Sequence, residues 1–102
     1  MHEDQGTLRG ELNAETGRLT WTELEPHFAR GAVIRVAPEL DLVDVAERIV
    51  RDDAAAVQAW MSSGRIARAS LDDARDWNAR QASFWAVVTA PWVLVQEIGT
   101  ES

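Results

Sequence analysis

The chain of 102 residues is long enough for one domain with one hydrophobic core, and its 46% hydrophobic and 26% charged residues are an ordinary globular balance. It contains no cysteine, which excludes disulfides, thiolate catalysis and zinc–thiolate sites. Its formal net charge of −7 disfavours non-specific binding to nucleic acid or to anionic membranes. No apolar run reaches the ~18 residues that a membrane helix needs, and the acidic N-terminus is not a secretory signal, so we predict a soluble cytoplasmic protein.

Both ends of the chain lack apolar periodicity. We therefore predict a disordered tail over residues 1–6 and a frayed C-terminus over 99–102, with a single domain over 7–98 between them. Within that domain a short first helix is predicted to begin at Thr7 and to stop at Gly17.

A second helix and a first strand follow. Residues 22–25, TELE, have the form of a capping box, so we expect a helix that begins there and ends at Gly31. Residues 32–37 alternate in polarity and predict a strand in which Arg35 points away from the apolar face.

Two helices are then predicted in tandem. Residues 42–51 carry one apolar stripe behind Asp41 as N-cap. The second helix, 54–62, lies between a pair of aspartates and Gly64, which is well placed as its C′ residue.

The second half of the chain predicts two more strands and one more helix. Residues 65–69 alternate and predict a short strand, and Ser70 is the expected N-cap of a helix over 71–79. The apolar run 84–97, FWAVVTAPWVLVQE, predicts a strand that is covered on both faces and bent or bulged at Pro91.

The predicted elements give the order helix-strand-helix-helix-strand-helix-strand, which indicates a small α+β domain. We expect a winged-helix-like arrangement with a short three- or four-stranded sheet. The alternative is a two-layer α/β sandwich with the helices on one face, because the sequence does not show strand direction.

A winged helix would suggest DNA binding. Its groove-reading helix needs basic or amide side chains on the exposed face, whereas that face here carries Ala55, Gln58, Ala59 and Ser62 behind two aspartates. Binding to nucleic acid is therefore disfavoured and is kept as the alternative function.

Two groups of ionisable residues are candidates for chemistry. His27 lies four residues after Glu23 and could share a metal with it, but no HExxH pattern supports such a site and a partly buried histidine is the simpler interpretation. Glu39, Asp41 and Asp44 could bind a cation, but capping and the helix dipole explain the two aspartates. We predict no metal, no cofactor and no catalytic residue, and hence no enzyme.

Other side chains are candidates for interaction. Arg35 could clamp an anion, although a solvated arginine at a sheet edge or an ion pair with an acidic helix residue is the commoner role, and Glu39 is near in sequence. The chain has five tryptophans, of which Trp85 and Trp92 lie on the predicted last strand, and tryptophan is enriched in binding hot spots. The candidate interaction residues are Trp92, Trp85, Arg35, His27 and Glu39.

Three motifs carry a resemblance that covers about residues 8–96. They are V-x-P-E-L-D-L-V-x-V at 36–45, V-x-x-W-x-x-x-G-x-I at 57–66 and P-W-V-L-V-Q at 91–96. With them the chain resembles a small bacterial family known only as a domain of unknown function (number 2288). The resemblance implies a short, stand-alone, soluble bacterial protein, and it supplies no functional residues because the family has no assigned activity.

These observations together predict a non-catalytic module. Its partner would be another protein or a second copy of the chain, as in a homodimer, with the spare tryptophans as the expected contacts.

Overall fold

The computed structural model describes residues 16–98. The predicted tail, the predicted frayed end and the predicted first helix, as far as residue 15, lie outside the described residues. The elements in chain order are β1 (Gly17–Thr20), α1 (Trp21–Ala29), β2 (Val33–Val36), α2 (Leu42–Val50), α3 (Ala54–Ser62), β3 (Ile66–Arg68), α4 (Leu71–Arg80), β4 (Ser83–Thr89) and β5 (Trp92–Glu97).

The strands form one mixed sheet in the order β1-β4-β5-β2-β3. β5 lies at its centre, antiparallel to β4 and parallel to β2, while β1 and β3 are antiparallel edge strands. The predicted single strand 84–97 is instead a hairpin. Thr89 pairs directly with Trp92 across the turn at Ala90 and Pro91, whose peptide bond is cis.

Helices cover both faces of this sheet. Successive strand residues point to opposite sides, and here both sets of side chains are apolar. Val87 and Leu94 pack under α2, on the face that we call the α2 side. Phe84 and Val93 pack on the opposite face against the tryptophans of α1 and α4, Trp21 and Trp77. The predicted burial of the 84–97 stretch on both faces is thus confirmed.

The α+β class is confirmed, and the predicted tandem helices are α2 and α3. The winged-helix-like arrangement is not confirmed. The sheet has five strands rather than three or four, since the hairpin and the short β1 each add one, and it lies between two helical layers. A two-layer sandwich with helices on one face does not describe it either.

Side chains at the helix ends fix where each helix begins. The capping box of α1 is made by Thr20 and Glu23, not by residues 22–25: Glu23 N donates to Thr20 Oγ1 (3.3 Å) and Thr20 N donates to the Glu23 carboxylate (2.9 Å). Because α1 begins at Trp21, the buried ring of Trp21 packs against Trp77, with 6.1 Å between the ring centroids. Asp41 and Ser70 cap their helices as predicted, and Asp53, the second aspartate of the pair before α3, caps that helix.

Candidate interaction surface

An open groove of about 330 Å³ lies between α3 and the α2 side of the sheet. We call it the Trp92 groove. Its floor comes from neighbouring strands, with Ile34 on β2, Ile66 on β3 and Trp92 on β5. Its α3 wall is formed by Ala54, Val57, Gln58 and Met61, which repeat at the i, i+3, i+4, i+7 spacing of one helix face.

Helix α3 is unusual among the described helices. Of its nine residues only Gln58 and Ser62 are polar, and none is charged. No side chain of α3 is fully buried, and Met61 is 49% exposed. A helix that is apolar on every side normally lies inside a protein. This one forms an exposed surface.

Two charged residues at the rim of the Trp92 groove have no ion-pair partner within residues 16–98. The guanidinium carbon of Arg68 lies 5.1 Å from the ring centroid of Trp92, within cation–π range. Asp52 sits in the turn before α3 with φ of 59°, a left-handed conformation that aspartate tolerates. Its neighbour Asp53 differs, because it caps α3 and pairs with Arg48 at 3.0 Å.

Chain direction brings Asp52 and Arg68 to the same end of the groove. α2 follows the carboxyl end of β2 and packs on the sheet, and Asp52, just beyond its last turn, lines the groove together with Ile34 near the amino end of β2. β3 is antiparallel to β2, and the pairing of Arg68 with Ile34 places Arg68 near this same end. Trp92 begins β5, which is parallel to β2, and so joins them there.

Trp85 does not contribute to the groove. It lies on the same sheet face as Trp92, but four positions before Thr89, the residue that pairs with Trp92. At a rise of ~3.4 Å per residue the two tryptophans are separated by roughly 14 Å. Trp85 is 43% exposed and its ring lies beneath the Arg18 guanidinium, 5.5 Å from the centroid.

Arg35 and Arg65 line a second cleft, of about 560 Å³, at the carboxyl ends of β2 and β5. Arg35 donates to Asp73 of α4 at 3.1 Å, so the ion-pair interpretation of this arginine is confirmed, with a different carboxylate from the nearby Glu39. Glu39 pairs loosely with Arg65, at 3.7 Å. Because these charges are already paired, the cleft offers little free charge to a ligand.

His27 lies in the last turn of α1, where its Nδ1 accepts a hydrogen bond from Arg30 at 2.7 Å. The carboxylate of Glu23 is used by the capping box instead. Across 16–98 no cluster of three or more histidine or acidic side chains is placed to hold a metal ion. The predicted interaction residues are thus dispersed, and of the five only Trp92 lines the groove.

Residues 7–97 match the family described as "Protein of unknown function (DUF2288)". The chain belongs to this family. The resemblance found in the three sequence motifs is therefore confirmed.

A solved structure is similar to this one over nearly its whole length. It is the NMR solution structure of PA1075 from Pseudomonas aeruginosa, which is 45% identical with a TM-score of 0.82, and the match covers 94% of this chain and 89% of that one. No curated protein matches the chain.

Sequence reasoning missed Asp52 and Met61 as surface residues of interest. A usable signal was present, because α3 is a capped helix without a charged residue in a chain of which 26% is charged. As for membranes, none of the helices found over residues 16–98 has the length and hydrophobicity to cross one.

Proposed function

We propose that this protein is a non-catalytic protein-interaction module that uses α3 and the adjoining Trp92 groove. The observation that carries this proposal is the exposure of α3, a helix without a charged residue. Contiguous apolar surface of this kind is rare on isolated domains, because covering it releases about 25 cal/mol for each Å² removed from water.

The chemistry of the groove suits a protein partner. Trp92 is half-buried at its floor, where it gives a partner a large flat surface with little loss of side-chain entropy. Arg68 and Gln58 add polar groups at the margin. This combination of an apolar centre with a polar rim is typical of protein interfaces.

Nucleic-acid binding remains the alternative, and the geometry favours it less. Among residues 16–98, Arg68 is the one basic residue that lines the groove, and the exposed side of α3 presents alanines, Gln58 and Ser62. A surface that neutralises several phosphates needs more positive charge than this.

Photo-crosslinking in cells tests the proposal without assuming a partner. Replacing Gln58 by a photoreactive phenylalanine analogue puts the probe in the groove, and the same replacement at Asn78, an exposed residue of α4, is the control. We expect protein adducts from position 58 and few from position 78. Absence of adducts at position 58, or equal adducts at both, would contradict the proposal.

A further inference from the structure

We infer that the partner is a second copy of this chain, docked through α3 and the Trp92 groove about a twofold axis. This inference rests on the proposed function and names the occupant of the same surface. In a twofold interface one patch meets itself, so the patch must carry its own complement. The uncharged helix α3 and the two opposite charges beside it meet this condition.

The first condition is that two copies can approach. The chain has a net charge of −7, so most encounters between copies bring acidic surfaces together. Acidic residues occur on α1, α2 and α4. Of the helices within residues 16–98, α3 is the one that a second copy can meet without like charges opposed.

The second condition is charge complementarity at the rim. Asp52 and Arg68 have opposite charges, neither has an ion-pair partner in the described part of the chain, and both flank the same end of the groove. With a twofold axis near Trp92, Asp52 of each copy faces Arg68 of the other. Two equivalent ion pairs then border an apolar centre.

The third condition is apolar surface that can fill the groove. Met61 is half-exposed at its wall, and the exposed alanines Ala55 and Ala59 let a second helix approach closely. Since a standard interface buries ~800 Å² on each partner, the nine residues of α3 cannot supply it alone. The groove and its rim must therefore take part.

The deciding experiment reverses the two charges separately and then mixes the variants. By symmetry each substitution acts at two places in the dimer. Asp52→Arg alone opposes arginines, and Arg68→Asp alone opposes aspartates, so each should weaken dimerisation by roughly tenfold or more. An equimolar mixture of the two variants restores both ion pairs and should form a heterodimer.

Mass in solution, by light scattering over a range of protein and salt concentrations, is the readout. Recovery of dimer in the mixture would also show that both variants are folded. This matters because arginine fits the left-handed conformation at Asp52 less well than aspartate does. Asp52→Asn, which keeps the backbone preference and removes the charge, should show an intermediate loss.

Three results separate this inference from the proposed function. A wild-type chain that stays monomeric up to millimolar concentration overturns self-association, and adducts of position 58 to another protein would still support the interaction module. A dimer that tolerates both reversals overturns this surface as its interface. A dimer lost in each variant and regained in the mixture supports the inference.

Discussion

Thr89 carries a buried hydroxyl with no hydrogen-bond partner among residues 16–98. It faces the α2 side of the sheet, directly opposite Trp92, and is 7% exposed. A buried polar group left unpaired costs about 1–3 kcal/mol. Next to the Trp92 groove, this cost marks a position where stability has not been maximised.

We predict that Thr89→Val stabilises the protein by about 1 kcal/mol, because valine has nearly the same shape without the unpaired hydroxyl. Thr20→Val is the matched control. It removes the hydroxyl that caps α1 and should destabilise by about 1 kcal/mol. Urea unfolding should show the two midpoints moving in opposite directions at an unchanged slope. A fall in midpoint for both would mean that the Thr89 hydroxyl has a partner in solution.

The ionic contacts of Arg80 join two elements that are distant in the chain. It hydrogen-bonds both to Asp76, one turn earlier on α4, and to Glu97 at the end of β5. The hydrogen bond from Arg80 lowers the pKa of Asp76 below its ordinary value of 3.8, and the bonds to Asp76 and Glu97 raise the pKa of Arg80 further above its own. Arg80 thus links the C-terminal turn of α4 to β5, the central strand of the sheet.

A pH dependence follows from the direction of the Asp76 shift. In the folded state the Asp76 carboxylate binds a proton more weakly than in the unfolded state. Its contribution to stability is therefore present above about pH 4. It is lost as pH falls through the lowered folded-state pKa.

We predict that Arg80→Gln destabilises the protein at pH 6, and that the difference in free energy of unfolding between this variant and wild type shrinks below pH 4. Arg75→Gln is the control, because it removes the same charge from α4 at a position where the contact with Asp72 is only 3.9 Å. Its loss of unfolding free energy should be smaller and should depend less on pH. Denaturant unfolding over pH 2.5–6 measures both.

Elements with strong local signals could be predicted from the sequence, and those set by contacts distant in the chain could not. The sequence predicts both ends of α3, because an aspartate precedes its first residue and Gly64, with its positive φ, follows its last turn. The sequence pattern places the capping box two residues late, because both threonine–glutamate pairs fit it. The burial of Trp21 against Trp77 decides between them. Leu71, three residues before Ala74, has the spacing of an inward residue, yet it is 60% exposed, because the buried stripe of α4 consists of Ala74 and Trp77.

The same limit applies to the candidate site. Trp92 could be selected from the sequence as an aromatic residue beside a proline. Asp52 and Arg68 could not, because sixteen positions separate them in the chain and the order of strands β5, β2 and β3 brings them to one end of the groove. Residue types predicted what each side chain could do, and topology decided which of them meet.

At the scale of the whole molecule, two hydrophobic layers share one sheet. Phe84 and Leu94 are both fully buried on adjacent strands, but they face opposite layers. The Phe84 ring meets Trp77 edge-on at 4.8 Å, in the layer of α1 and α4. Because both hydrophobic layers pack on the same strands, loss of packing on one face also destabilises the layer on the other face.

We predict that the two layers unfold together. Phe84→Ala and Leu94→Ala should each cost about 3–5 kcal/mol, a large part of the 5–15 kcal/mol that typically stabilises a domain. Either variant should show coincident transitions by tryptophan fluorescence and far-ultraviolet circular dichroism. Val88→Ala, on the same β4 strand but exposed, should change stability by less than about 0.5 kcal/mol. Separate transitions would show that the layers are independent.

The central position of β5 also governs when the chain can fold during synthesis. It is the last of the described strands to leave the ribosome, and yet it lies between β4 and β2. A nascent chain that ends before Trp92 holds two separate ladders, β1 with β4 and β2 with β3. Two-stranded ladders of this size are marginally stable in water. The apolar faces of both layers therefore stay unfinished until the final strand emerges, and the sheet closes in one step around it.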